Sequence, residues 1–250
     1  MTTNRKIMFA GDIHGDTEHL EWVFAKAARS GVKWIVACGD FGYWPHIKWG
    51  QAFLDLAEDL AARHGITLYW VDGNHENHDL LDGLVALHGA ENPIPVAGPG
   101  VLYVPRGCIF TIEGVTLMGF GGAYSVDWKQ RRAHVTWWEQ ELVTREQVDA
   151  LVPATVDILV THEAPLGRTI SYKDGIPESV AQRELVQEIE AKVRPALHVC
   201  GHHHTRETWT NGETRVEVLG RDGMDDESVL VVDPASFAGD AAFGREVTAA

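Results

Sequence analysis

Three times in its first third, this chain runs a short apolar segment straight into a polar turn that holds glycine and an acid or amide. Residues 7–10 end at Gly11-Asp12-Ile13-His14, residues 32–38 at Gly39-Asp40, and residues 66–70 at Val71-Asp72-Gly73-Asn74-His75-Glu76-Asn77. The segments are rich in β-branched and aromatic residues, which suits buried strands. Between them Leu20, Val23, Phe24 and Ala27, and then Phe53, Leu56, Ala57 and Leu60, recur at helical spacing, with Gly31 stopping the first helix. Strand, helix, strand, helix, strand, helix argues for a parallel sheet with right-handed crossovers, and the expected class is α/β.

Beyond residue 87 the texture changes. Asn92-Pro93-Ile94-Pro95 and Gly98-Pro99-Gly100 read as loop, and residues 101–104, 108–112 and 115–120 as an antiparallel meander. Thr136-Trp137-Trp138-Glu139 fits a capping box that opens a helix to about residue 151. Residues 158–160 form a strand that ends at Thr161-His162-Glu163. After a long loop at 168–178, residues 179–193 form a helix closed by Pro195, and 197–200 a strand ending at Gly201-His202-His203-His204. Asn211-Gly212 is a hairpin turn between 207–210 and 213–219. Asp225, Asp226 and Glu227 read as a solvated turn, and residues from about 238 to 250 as a frayed tail. No linker interrupts the chain, so one domain over residues 1–250 is expected.

Charge narrows the partners. Lys and Arg number 21 against 36 Asp and Glu, a formal net charge of −15, which argues against a protein that grips long nucleic acid. A small phosphate-bearing substrate drawn in by locally bound metal charge remains open. The N-terminus is polar and leads straight into a strand, and no run is long enough to span a bilayer. Neither signal peptide nor anchor is expected, and the cytoplasm is the default location. Cys38, Cys108 and Cys200 form no C-x-x-C pair and suit buried reduced thiols.

Asp12 and His14, Asp40, Asn74 and His75, His162, and His202 and His204 each stand at the carboxyl end of an expected strand, where α/β sheets build their sites. Any one of them alone is ordinary turn chemistry. Together they offer two Asp, one Asn and four His as ligands, with no thiolate, a set suited to manganese, iron, zinc or cobalt. His75, beside Asn74, is a proton donor or a further ligand. So many ligands exceed the needs of one ion, and Asp40, alone after its strand, is the natural bridge between two. Such a pair, about 3.5–4 Å apart, clamps the attacking and leaving oxygens of a phosphoryl displacement.

In chain order, Asp12-Ile13-His14, Gly39-Asp40, Gly73-Asn74-His75-Glu76, His162 and Gly201-His202-His203-His204 resemble the full motif set of the calcineurin-like metallophosphoesterases. The resemblance implies a four-layer α/β/β/α sandwich of two mixed sheets flanked by helices, with two divalent ions, manganese first. It implies that Asp12, His14, Asp40 and His204 hold one ion, and Asp40, Asn74, His162 and His202 the other. By the same resemblance His75 protonates the leaving oxygen, Glu76 orients His75, and a metal-activated hydroxide attacks phosphorus in line. The protein-phosphatase and dinucleoside-tetraphosphatase branches carry an arginine shortly after the bridging Asp, where this chain has Phe41-Gly42-Tyr43-Trp44-Pro45. A doubly charged monoester would there lose a bidentate partner, so a phosphodiester is expected. The resemblance to compact relatives without that arginine implies a small nucleotide phosphodiester, 2′,3′-cyclic nucleotides first.

Expected substrate contacts are Asn74, His203 and Trp44, whose ring could stack on a base; the same aromatic loop equally reads as a lid packed on the core. Arg131 and Arg132 read as a solvated approach to a helix, or else as the phosphate grip of a phosphomonoesterase. A nuclease is disfavoured by charge. The alternative from a different class is a non-catalytic metal-binding scaffold, against which the intact ligand set argues. His19, His64, His78, His88 and His198 read as surface or helix-end residues. Trp137 and Trp138 cannot both face the core from one helix, which hints at an exposed interface and leaves the oligomeric state open.

Overall fold

A computed structural model describes residues 6–233. In chain order it carries β1 (Ile7–Ala10), α1 (Thr17–Arg29), β2 (Trp34–Ala37), α2 (Lys48–His64), β3 (Thr67–Trp70), α3 (His78–His88), β4 (Ile94–Gly98), β5 (Val101–Tyr103), β6 (Ile109–Ile112) and β7 (Val115–Phe120). Then come α4 (Arg145–Ala150), β8 (Ile158–Thr161), α5 (Pro177–Val193), β9 (Leu197–Cys200), β10 (Glu207–Asn211), β11 (Thr214–Val218) and β12 (Val229–Val232). The strands form two six-stranded sheets, ordered β12-β1-β2-β3-β5-β4 and β10-β11-β9-β8-β7-β6. Both are mixed: four central strands run parallel, and an antiparallel strand closes each edge.

Alternation along the strands builds the layers. Ile7 and Phe9 face the second sheet, where they join Leu117, Ile158, Val160, Leu197 and Val199 in an apolar layer. Met8 and Ala10 face the other way, onto Leu20, Phe24 and Phe53 of α1 and α2. On the far side Met118, Phe120 and Leu159 meet Val148 of α4 and Ile189 and Val193 of α5. Strands covered on both faces must be apolar throughout, which is why they read as continuous hydrophobic runs. The result is the expected four-layer α/β/β/α sandwich.

Several local expectations are corrected. Residues 94–98 form a strand rather than loop, and β5 pairs parallel with β3 in the first sheet, so of the three strands expected in the meander only β6 and β7 pair with each other. A three-residue strand carries too little pattern to choose its sheet, and the packing of Tyr103 on Trp70 decides it. No helix runs from Thr136. Its hydroxyl accepts from the Arg132 N–H, one 3₁₀ turn follows at Glu139–Glu141, and the capping box that opens a helix is Thr144 with Gln147. Trp138 is therefore buried, while Trp137 is half-buried and donates to Glu141. His19, His78 and His198 are buried, not superficial.

The loop at 168–178 contains a 3₁₀ turn, Tyr172–Gly175. All three cysteines are buried free thiols. The tail expected from about residue 238 lies outside the described residues. No helix among the described residues is long and apolar enough to cross a membrane.

Candidate metal centre

The carboxyl ends of β1, β2 and β3 meet those of β8 and β9 at one edge of the sandwich. Bringing turns from two sheets this close requires unusual backbone: His14 (φ 53°), Asp40 (φ 45°), His202 (φ 65°) and His204 (φ 53°) all occupy the left-handed region. Each costs about 1–2 kcal/mol for a residue other than glycine, and such strain concentrates where function needs a fixed side chain. Two glycines make the closure possible. A Cβ on Gly39 (φ 97°) would overlap the His162 ring, and one on Gly73 would overlap the Asp40 carboxylate.

Asp40 sits at the middle. Its Oδ1 accepts from the N–H groups of Asn74 (2.9 Å) and His75 (2.8 Å). Its Oδ2 thereby faces Nε2 of His14 and of His162, each at 3.3 Å, and of His75 at 4.0 Å. Asp12 repeats the design: Oδ1 accepts from the His202 N–H (2.9 Å), and Oδ2 lies 3.0 Å from His204 Nε2. Asn74 turns its Oδ1 to His162 Nε2 at 3.1 Å because its Nδ2 donates to Ser125 Oγ. His162 Nδ1 is 2.8 Å from the Cys38 carbonyl and His14 Nδ1 is 2.7 Å from Asp222, so both rings offer Nε2 inward.

Three overlapping groups have one donor atom per residue within 4.8 Å of each other: Asp12, His14 and His204; His14, Asp40 and His75; Asp12, Asp40 and His162. His202 Nε2 is buried with no hydrogen-bond partner among the described residues, and buried Asp12 Oδ2 faces only the His204 and His14 rings. Buried polar atoms left without partners need an explanation, and a divalent cation supplies one here, so the residues fit the metals that the motifs implied.

Charge supports the same conclusion. Burial alone would raise the Asp40 carboxyl, yet His162, His75 and His14 hold it well below the usual carboxylate range. Burial opposes protonation of His14 and His162, but Asp40 outweighs it, pushing them up to about 9 and about 10. His202 is driven well down by burial, with Lys173 and His162 adding repulsion, and its nitrogen stays neutral. Protons on His14 and His162 compete with any cation.

Around this floor lies a cleft of about 370 Å³, walled by Val126, Asp127 and Arg131 on one side and by Ser171, Tyr172 and Lys173 on the other. A larger cavity of about 530 Å³, beside Glu190, Arg194 and Asn211, contains none of the candidate ligands. Arg131 is not a solvated helix approach. Its side chain is 9% exposed, its Nη1 donates to the Asn74 carbonyl (3.1 Å), and its Nη2 lies 2.8 Å from His75 Nε2. Burial lowers the His75 pKa, Asp40 opposes this, and Arg131 adds to it.

Three site expectations change. Both Glu76 oxygens accept backbone N–H groups, Gly42 (3.1 Å) and Gly73 (2.6 Å), so Glu76 ties the β2 and β3 turns together instead of orienting the His75 ring. Burial pushes that carboxyl up to about 8, with Asp40 adding repulsion. His203 is turned inward, its nitrogens 2.9 Å from Glu163 and 3.0 Å from Ser171 Oγ, which leaves neither for a substrate. Trp44 stands outside the cleft wall, against Trp138, Trp49 and His46, while Phe41 and Tyr43 pack on Trp70. Residues of the site that sequence reasoning missed are Asp222, Ser125, Glu163 and Lys173. Only Glu163 carried a signal, its place directly after His162.

The sequence model of the family described as calcineurin-like phosphoesterase matches residues 5–206. Among curated proteins, a UPF0046 protein of Caenorhabditis elegans is 41% identical over 68 residues, 25% of this chain and 24% of that one. Metallophosphoesterase domain-containing protein 1 of Homo sapiens is 40% identical over 57 residues, 22% of this chain and 16% of that one. The matches thus span well under a third of either relative. Among solved structures, TT1561 of Thermus thermophilus superposes with a TM-score of 0.57 at 16% identity, covering 92% of this chain and 99% of the other. A dimetal phosphatase from Danio rerio does so with a TM-score of 0.53 at 11% identity, covering 86% and 87%. At such identities the likeness is one of fold.

Proposed function

Because the chain belongs to the calcineurin-like phosphoesterase family, we propose that it is a two-metal phosphodiesterase acting on small nucleotide phosphodiesters, 2′,3′-cyclic nucleotides first. Asp12, His14, Asp40 and His204 hold one divalent ion, and Asp40, Asn74, His162 and His202 the other, manganese being the first choice. Such ions, when bound, polarise phosphoryl oxygens and generate hydroxide near neutral pH. The observation that carries the reading is Asp40: two N–H groups fix one oxygen, and the other stands 3.3 Å from histidines of both proposed sites.

The chain's own residues do the rest. Asn74, its amide held by Ser125, aims an oxygen at the centre. His75 lies on the cleft floor and gives a proton to the leaving oxygen. When Arg131 shifts from His75 to a phosphoryl oxygen, one of the charges that repel a proton from the ring is withdrawn, and the ring holds its proton better. A diester is favoured because the Arg131 guanidinium is already paired with Asp127 at 2.8 Å, so it donates hydrogen bonds while adding little net charge. Tyr172, 72% exposed at the rim, offers a ring face to a base.

The test is hydrolysis of bis(p-nitrophenyl) phosphate, p-nitrophenyl phosphate and 2′,3′-cyclic AMP by chelated protein reloaded with Mn²⁺. Diester turnover that needs metal, exceeds monoester turnover and is lost in His75→Ala and Asn74→Ala is the expected result. No turnover of any of the three would overturn the catalytic reading in favour of a metal-binding scaffold.

A further inference from the structure

The arginine missing after Asp40 has a counterpart from elsewhere in the chain, and that counterpart comes with its own acid. Asp127 precedes the 3₁₀ turn Trp128–Gln130 and Arg131 follows it, one turn apart. Arg131 Nε donates to Asp127 Oδ2 at 3.0 Å and Nη2 lies 2.8 Å from Oδ1, a two-pronged pair. The same guanidinium reaches His75 Nε2 and the Asn74 carbonyl, so it hangs directly over the proposed metal centre. Its side chain is nearly buried whereas that of Asp127 is 46% exposed, which puts the carboxylate at the outer edge of the cleft. Lys173, the other cation lining the cleft among the described residues, is committed to the His202 carbonyl and feels Glu163 beneath it.

We propose that Asp127 is a specificity-determining residue which, by neutralising Arg131, makes the cleft prefer singly charged phosphodiesters to doubly charged phosphomonoesters. The inference rests on the phosphoesterase reading. A diester brings one negative charge, which the metals answer, and takes Arg131 as a hydrogen-bond donor. A monoester brings a second charge to the same guanidinium, where it meets the Asp127 carboxylate as a like charge. Without that carboxylate, the planar fork of Arg131 is free to bind two non-bridging oxygens.

The experiment measures kcat/KM for p-nitrophenyl phosphate and bis(p-nitrophenyl) phosphate with Mn²⁺-loaded wild type, Asp127→Asn, Asp127→Glu and the double variant Asp127→Asn/Arg131→Gln. The monoester-to-diester ratio should rise roughly tenfold in Asp127→Asn, the scale of one partly screened charge contact. It should stay at the wild-type value in Asp127→Glu and fall back in the double variant. A ratio unchanged in Asp127→Asn, or a rise that persists without Arg131, would overturn the inference while diester turnover by wild type left the underlying reading intact. Wild type with no metal-dependent turnover would remove both.

Discussion

Single residues outside the ligand set hold this centre in shape. Ser125 Oγ takes the Nδ2 hydrogen of Asn74 and so turns the amide oxygen inward, towards His162. Ser125→Ala should therefore lower Mn²⁺ affinity roughly tenfold with an unchanged melting temperature of the metal-free protein, by calorimetric titration. An unaltered affinity would show the amide to be held otherwise. Glu76 plays a different part: its buried carboxyl satisfies the N–H groups of Gly42 and Gly73. Glu76→Ala leaves both donors stranded and should cost roughly 2–4 kcal/mol in urea denaturation, whereas a cost under about 0.5 kcal/mol would mean that the two turns need no tie. The candidate ligands were legible because each sits just past an apolar run. Ser125, Asp222 and Lys173 were not, because each reaches the site from a loop whose path is set by tertiary packing.

At the level of elements, the parallel strands and their crossover helices were readable from period and glycine punctuation, while the stretch between β7 and β8 was not. Thr136-Trp137-Trp138-Glu139 has a capping-box pattern, but Trp138 buries itself against Trp44 and the chain folds into single turns before α4. His78 at the start of α3 escapes sequence reasoning for a related reason: a histidine at a helix end is usually wet, and this one is buried with Nε2 unpartnered among the described residues. Burial, against the pull of Asp72, depresses its pKa from 6.5 to about 4. The unfolded chain then binds a proton that the folded one refuses. Stability tied to His78 is intact above pH 6.5 and is lost as pH falls towards 4, by up to roughly 3 kcal/mol. His78→Asn should accordingly be less stable than wild type at pH 7.5 and close much of that gap at pH 4.5 in urea titrations. A gap that does not change with pH would contradict this.

For the whole molecule, the centre is where two half-structures are joined. Asp12, His14, Asp40 and Asn74 follow strands of the first sheet, and His162, His202 and His204 follow strands of the second, so ions held as proposed would stabilise the closed sandwich. Adding Mn²⁺ at about 100 times its dissociation constant should stabilise the protein by roughly 2.7 kcal/mol per site, read as a rise in melting temperature. Because His14 and His162 hold protons up to about 9 and about 10, Mn²⁺ affinity should climb between pH 6 and pH 8. An affinity flat across that interval would mean that those rings do not bind the ion. The most direct test of the two-metal account is electron paramagnetic resonance of chelated protein titrated with Mn²⁺. The account requires two ions per chain with the spin-coupled signal of a bridged pair, and coupling lost in Asp40→Asn; a single ion giving an isolated six-line Mn²⁺ spectrum at saturation would contradict it.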